Sequence, residues 1–248
     1  HVTAILGQAG EPGVDMSSVI AAHNLPLAFP EEVEEAASKT KFRLTKKLLG
    51  DRVDLREQTT FTIDPPDARD FDDALTCREL ENGHFEVGVH IADVAHFVEE
   101  GGSVDKEALK RGTSVYFPDR VIPMLPEHLS NELCSLKPEV ERLTMSCIME
   151  LSPSAEVVNF RIVDSVIKSD RRFSYDEVQG YFEGKTEIEE PLATPLSQLR
   201  DLAAKLRKSR FYVGSLGFEI PEAKIILDDD GVPVDIKRSV TQESNHLV

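Results

Sequence analysis

Residues 62–74 read Thr62-Ile63-Asp64-Pro65-Pro66-Asp67-Ala68-Arg69-Asp70-Phe71-Asp72-Asp73-Ala74. Within this segment, residues 64–73 hold five aspartates and a single arginine. Strand-forming residues precede and follow the segment, and because aspartate is depleted in strands, the run of acids needs a chemical reason. Carboxylates this close repel one another unless a cation lies among them. Hard oxygen ligands without a nearby cysteine or histidine suit Mg²⁺, with Mn²⁺ as a second choice.

The spacing of these aspartates allows their side chains to converge. A Pro-Pro turn lets the chain double back, which brings Asp64 toward Asp70. In an extended segment Asp70 and Asp72 share one face, and Asp73 points the other way. A solvated acidic turn remains the alternative interpretation. An EF-hand loop is disfavoured, because a start at Asp64 or Asp67 places no glycine at the sixth position.

On either side of this segment, the sequence pattern predicts strands and helices in separate runs. An Asn-Gly turn joins the first strand pair, and Ser174 with Glu177 forms a capping box at the start of a helix. Separate runs favour an α+β fold, with mixed or antiparallel sheets and packed helices, over alternating βαβ units. The predicted elements are strands at 60–63, 74–80, 85–92, 143–151 and 157–168, helices at 15–22, 31–39, 104–110, 174–182 and 196–213, and a hairpin over 217–237.

The two ends of the chain differ from its middle. Residues 1–50 form a lead-in with two proline breaks, and the main domain covers residues 51–248. Residues 241–248 resemble an unfinished helix, so we expect a domain truncated on its C-terminal side.

Composition narrows the class of protein. The chain has 248 residues, 40% of them apolar and 29% charged, with a net charge of −17. No stretch approaches the ~20 apolar residues of a membrane helix, so we expect no membrane partner. Three scattered cysteines do not make a disulfide framework, which predicts a cytoplasmic protein, and we expect a monomer. The acidity argues against a generic nucleic-acid coat protein, whose surface would be basic.

Four ordered motifs carry a family resemblance. They are Asp64-x5-Asp70-x-Asp72-Asp73, then His90-Ile91-Ala92-Asp93-Val94, then the stretch from Arg111 to Pro126, then Leu129-Ser130-Asn131-Glu132-Leu133-Cys134-Ser135-Leu136. Together they resemble the ribonuclease II/ribonuclease R family with its RNB catalytic domain. The sequence Thr-Ser-Val-Tyr-Phe-Pro at residues 113–118 is more similar to ribonuclease R than to ribonuclease II.

The resemblance implies an activity. The family degrades single-stranded RNA processively from the 3′ end, by metal-dependent hydrolysis that releases nucleoside 5′-monophosphates. By this resemblance Asp64, Asp70, Asp72 and Asp73 are the catalytic carboxylates. Asp64, Asp70 and Asp73 correspond to ligands of the metal or of its water. Asp72 corresponds to the residue whose loss removes cleavage more than binding.

The resemblance also implies an RNA clamp. Tyr116 is similar to the family's aromatic residue that stacks on terminal bases, and Phe218 to its partner. Tyr175 resembles a third residue near the terminal ribose. For Phe218, burial in a core between strands is the alternative, because a phenylalanine between strands usually packs inside.

The family pattern continues beyond this sequence, with further acidic and basic residues and with flanking cold-shock and S1 modules. Those modules would supply a basic surface for RNA, which accounts for the acidity of this portion. We therefore expect the 248-residue chain to be a weak or inactive nuclease by itself. The alternative is a non-catalytic RNA-binding relative with the same fold. The four filled aspartate positions favour the enzyme.

Overall fold

The computed structural model describes residues 4–8, 10–11, 13–218 and 222–247. Its α-helices are α1 (Val14–Ala22), α2 (Glu31–Lys39), α3 (Lys46–Gly50), α4 (Ser103–Arg111), α5 (Tyr175–Phe182) and α6 (Ala193–Tyr212). Its strands are β1 (Val53–Asp54), β2 (Thr60–Asp64), β3 (Asp73–Glu79), β4 (Phe85–Ala92), β5 (Val115–Tyr116), β6 (Val121–Ile122), β7 (Glu141–Leu151), β8 (Val157–Lys168), β9 (Arg171–Ser174), β10 (Glu222–Leu227) and β11 (Pro233–Ser239). The predicted α+β class is confirmed.

Contacts within the chain divide it into two compact units. Unit 1 comprises His1–Thr40, Val98–Glu127 and Glu219–Val240, and unit 2 comprises Lys41–Phe97, His128–Phe218 and Thr241–Val248. Among the described residues, no helix is both long and apolar enough to cross a membrane.

Unit 1 holds α1, α2 and α4 with the hairpins β5–β6 and β10–β11. Arg111, at the end of α4, ties separate parts of this unit together. Its guanidinium donates to the carbonyls of Pro26 and Pro123 at 3.1 and 3.0 Å and lies 3.7 Å from the centre of the Phe29 ring. Glu107, one turn earlier, balances the charge at 3.0 Å. The arginine that opens the third motif is therefore a structural residue.

Unit 2 is built on one seven-stranded mixed sheet. Its strand order is β1-β8-β7-β4-β3-β2-β9, antiparallel except for the parallel pairs β1–β8 and β2–β9. Phe61 and Phe173 meet edge to face at 5.7 Å in the larger core cluster, which α5 and α6 cover with apolar side chains. Ala74 belongs to the second cluster and its neighbour Leu75 to the first. Because adjacent strand residues point to opposite faces, both faces of the sheet are packed.

A buried polar seam crosses the sheet at His90. The ring nitrogens of His90 lie 2.7 Å from the Ser146 hydroxyl and 3.1 Å from the Thr76 hydroxyl. Burial lowers the pKa of His90 to about 4, so the ring is neutral near pH 7. Gly88 makes room for this contact, because a Cβ there would lie 2.3 Å from the Thr76 hydroxyl oxygen. His90 is therefore a structural residue of the sheet.

The C-terminal segment differs from the prediction. Instead of an α-helix over 241–248, the described residues form a short 3₁₀-helix, Glu243–His246, after Gln242. Glu243 pairs with Arg200 of α6 through two hydrogen bonds of 2.8 and 2.7 Å, and the amide of Ser244 donates to the Gln179 side chain. Tertiary contacts, which helical propensity does not report, fix this segment.

Candidate active site

The sheet brings the two ends of the aspartate segment together. Asp64 is the last residue of β2 and Asp73 is the first residue of β3. Because β2 and β3 are antiparallel neighbours, these two positions lie at the same edge of the sheet. The loop between them carries Asp70 and Asp72. The carbonyl of Asp72 accepts from the amide of Ala92 at 2.9 Å, which fixes the end of the loop to β4.

The four carboxylates lie close enough to influence one another. Burial raises the pKa of Asp64 to about 6, and the charges of Asp73 and Asp70 act in the same direction. Asp72 is exposed, yet the protein around it partly desolvates its carboxylate. Partial desolvation, followed by the charges of Asp70, Asp73 and Asp64, raises the pKa of Asp72 to about 6. Burial also raises the pKa of Asp73. Such mutual repulsion favours either a bound cation or a shared proton.

Two neighbours, Thr62 and Arg172, oppose the rise in the pKa of Asp64. Neither residue was predicted from the sequence to belong to the site. The Thr62 hydroxyl donates to the Asp64 carboxylate at 2.6 Å, and the positive charge of Arg172 acts with it to lower the pKa of Asp64. Arg172 also donates to the carbonyl of Pro65 and lies 5.4 Å from the Phe71 ring. The period of two along β2 places Thr62 on the Asp64 face, so the sequence held a signal for it. The position of Arg172 near Asp64 could not be predicted in the same way, because it depends on the parallel pairing of β2 with β9.

The donor chemistry of this cluster fits Mg²⁺ or Mn²⁺. All four side chains offer hard carboxylate oxygens, and a divalent cation would offset their repulsion. In the part of the chain that the structure describes, no group of three or more histidine, cysteine or acidic side chains converges closely enough to hold a metal ion. The four aspartates therefore suit a divalent ion in ligand type and in charge. Among the described residues, however, their side chains do not form a complete ligand set.

Tyr175 is the aromatic residue that the structure brings to the carboxylates. It opens α5 directly after Ser174, which pairs with Asp64 in the parallel register of β9 and β2. Burial raises the pKa of Tyr175, and the charges of Asp73 and Asp64 add to that rise. The predicted capping contact is present, since the Ser174 hydroxyl accepts from the Glu177 amide at 3.2 Å. A local helix start thus places a phenol beside the acidic cluster.

The other two predicted aromatic residues are exposed. Tyr116 lies on β5 in unit 1 and is 66% exposed, and Phe218 ends a described segment of unit 2 and is 78% exposed. Phe218 is therefore not a core residue, which removes the alternative interpretation. Cys134, by contrast, is buried in the second core cluster.

Comparison with known proteins identifies two matching families. The RNB domain profile matches residues 52–248, and the cold shock domain profile matches residues 1–30. Residues 1–30 therefore resemble part of a cold shock domain, so the expectation that this module lies wholly outside the sequence is wrong.

Individual relatives agree with the family match. Ribonuclease R 1 of Lactococcus lactis is 44% identical over 243 residues, which cover 96% of this chain and 29% of the relative. The structure of Mycoplasma genitalium RNase R in complex with ribose methylated single-stranded RNA superposes with a TM-score of 0.93 at 28% identity, covering 99% of this chain and 38% of that one. Yeast Ssd1, described as a pseudonuclease, shares the fold with a TM-score of 0.71 at 24% identity, over 84% of this chain and 26% of that one. The chain thus spans about a third of the length of such relatives.

Proposed function

The chain belongs to the RNB domain family and is homologous to ribonuclease R, and on that premise we propose that it carries the catalytic carboxylates of a 3′→5′ exoribonuclease. We propose further that the protein hydrolyses single-stranded RNA processively to nucleoside 5′-monophosphates. One observation carries the proposal. The four aspartates of the family signature lie at the adjoining ends of β2 and β3 and on the loop between them, where desolvation and mutual repulsion raise the pKa values of Asp64 and Asp72.

In this proposal Asp64, Asp70 and Asp73 hold Mg²⁺, with Mn²⁺ as a substitute. A bound divalent ion supplies Lewis-acid chemistry, which polarises the scissile phosphate and lowers the pKa of a water molecule. Asp72 orients the attacking water, and the hydrogen bond from the Ala92 amide to the Asp72 carbonyl holds the end of the loop for that role. Tyr175 excludes bulk water from one side of the cluster and contacts the terminal ribose.

The RNA clamp is the second part of the proposal. Tyr116 and Phe218 stack on bases of the bound strand, which their exposure permits. Every base presents a π-face, so stacking tolerates any sequence, as a degradative enzyme requires. Single-stranded RNA is the proposed substrate, and cold-shock and S1 modules of a longer natural chain are the proposed partners in RNA binding. The structure of the Mycoplasma genitalium relative in complex with ribose methylated single-stranded RNA supports this choice.

The test is an RNA decay assay on the protein in its full natural length. A 5′-labelled single-stranded RNA is incubated with and without Mg²⁺, and the products are resolved on a sequencing gel. Metal-dependent collapse to a short 5′ oligomer, with nucleoside 5′-monophosphates released, supports the exoribonuclease. Intact RNA that is nevertheless shifted on a native gel supports a non-catalytic RNA-binding relative. The 248-residue chain run in parallel is expected to be weak or inactive.

Tyr116→Ala should alter the final product of this assay. Loss of one stacking contact weakens RNA binding by about tenfold, since base stacking contributes ~1–3 kcal/mol per base. The last undegraded oligomer should therefore differ in length from that of the parent protein. Tyr212→Ala is the control, because Tyr212 is 91% exposed at the end of α6 and has no proposed role in the clamp. An identical end product for Tyr116→Ala and the parent would remove Tyr116 from the clamp.

A further inference from the structure

Ser135 lies where the chain leaves the π-helix His128–Cys134 and runs alongside the aspartate loop. The residue is fully buried, and its hydroxyl donates to the carbonyl of Arg69 at 2.8 Å. The same hydroxyl accepts from the amide of Phe71 at 3.1 Å. The next amide, that of Leu136, donates to the carbonyl of Phe71 at 2.8 Å. Three hydrogen bonds from one dipeptide thus fix the backbone on both sides of Asp70.

Ser135 is itself held in place from the sheet. Arg142 of β7 is buried, and its guanidinium donates to the carbonyl of Ser135 at 2.8 Å and to the carbonyl of Glu132 at 2.6 Å. Cys134 and Leu136, on either side of Ser135, are both buried in the second core cluster. A buried, twice-anchored backbone makes the Ser135 hydroxyl a rigid support, because its partners cannot shift independently of the core.

The remainder of the loop is tied at its ends. The amide of Ala68 donates to the carbonyl of Pro65 at 3.1 Å within the first turn, and the carbonyl of Asp72 is tied to β4. The backbone hydrogen bonds described for Arg69 and Phe71 come from Ser135 and Leu136. Because like charges repel, the clustered carboxylates disfavour this loop conformation, and hydrogen bonds to the middle of the loop oppose that effect.

We infer that Ser135 is a positioning residue, whose hydroxyl holds the loop so that Asp70 and Asp72 stay beside Asp64 and Asp73 for cation binding. The inference rests on the proposed function, because that function makes the carboxylates the reactive groups. Ser135 does not touch substrate in this scheme. It acts through the backbone of residues 69–71, and Arg142 acts through Ser135.

The test compares Ser135→Ala with Ser146→Ala in the 248-residue chain. This chain contains every residue that supports the loop in the contacts given above. Ser146 is the matched control, since it is also fully buried and hydrogen-bonded but contacts His90 and Ser165 rather than the loop. Two quantities are measured. The first is amide hydrogen exchange at Phe71 by NMR, and the second is affinity for Mn²⁺ alone by calorimetric titration. Thermal unfolding shows whether the two variants lose comparable stability.

Ser135→Ala should speed exchange at the Phe71 amide and weaken Mn²⁺ binding, each by about tenfold, because a supporting buried hydrogen bond is lost. Ser146→Ala should leave both quantities within about twofold of the parent, since its hydrogen bonds lie elsewhere. Ser135→Thr keeps a hydroxyl at this position, so its exchange rate at Phe71 and its Mn²⁺ affinity should lie close to those of the parent. Arg142→Gln provides a second variant should Ser135→Ala fail to fold, because it loosens Ser135 without removing the hydroxyl. It should also speed exchange at Phe71.

Unchanged Mn²⁺ affinity in Ser135→Ala, or an equal loss of Mn²⁺ affinity in Ser146→Ala, would overturn the inference, and so would unchanged exchange at Phe71. The exchange measurement needs neither RNA nor metal, so it still reports on Ser135 if the protein hydrolyses no RNA. A parent chain that binds no Mn²⁺ would count against the proposed metal site, and the exchange result would then decide whether Ser135 supports the loop.

Discussion

Asp72→Asn should lower the rate of RNA hydrolysis by about a thousandfold and leave RNA affinity within about twofold of the parent protein, because the lost carboxylate acts on the transition state more than on the bound substrate. The substitution keeps the size of the side chain and removes its charge. The backbone carbonyl at position 72, which accepts from the Ala92 amide, is unchanged. The fold of the loop should therefore persist, and the loss should fall on kcat rather than on KM.

The measurement is single-turnover decay of 5′-labelled RNA, paired with a filter-binding titration in the absence of Mg²⁺. Asp67→Asn is the matched control, because Asp67 lies in the same loop, is exposed and is not among the proposed ligands. It should retain nearly full activity. Equal losses of hydrolysis and of RNA binding in Asp72→Asn would mean that Asp72 acts as a structural residue. A large loss in Asp67→Asn would mean that the total charge of the loop, and not the individual carboxylate, sets the rate.

The sequence predicted the local part of the fold well. The hairpin of β3 and β4 follows from alternating residues and an Asn-Gly turn, and α5 follows from its Ser174 cap. Both depend on interactions within a few residues, which a sequence pattern reports. The capping box is only half formed, because the Glu177 carboxylate pairs with Arg171 instead of returning to the cap.

The sequence did not predict the long-range pairings. The parallel pairs β1–β8 and β2–β9 join strands about a hundred residues apart, and no local pattern encodes their register. The placement of Arg172 near Asp64 depends on that register, as does the start of α5 beside the site. Contacts of Ser135 with the loop likewise span more than 60 residues. The four aspartates could be found because they are adjacent in sequence, whereas their supports are adjacent only in the fold.

Asp93→Ala should destabilise unit 2 by about 3–5 kcal/mol, the usual cost of breaking a buried ion pair by removing one partner. Asp93 belongs to the second motif and pairs with Arg52 at 2.5 Å, and the two side chains are only 9% and 8% exposed. The other Asp93 oxygen accepts from the His96 amide at 3.1 Å and caps a 3₁₀-helix. Removing the carboxylate leaves the Arg52 cation buried without its counter-ion. The measurement is urea unfolding at pH 7 followed by circular dichroism.

An exposed pair in the same unit provides the control. Glu183 and Lys185 meet at 2.5 Å but are 42% and 75% exposed, so Glu183→Ala should leave the unfolding midpoint unchanged. Similar midpoints for Asp93→Ala and Glu183→Ala would show that the buried pair adds no stability.

A double variant separates the ion pair from the cap. Arg52→Met with Asp93→Ala removes both charges, so it should recover much of the stability lost in Asp93→Ala, because no uncompensated charge remains buried. Recovery that stops short of the parent measures what the cap at His96 contributes, on the order of 1 kcal/mol. No recovery would mean that the cap, rather than the ion pair, accounts for the loss. Either result assigns a stabilising role to a motif residue that does not contribute to the carboxylate cluster. A shared motif can therefore mark the residues that build the scaffold as well as those that react.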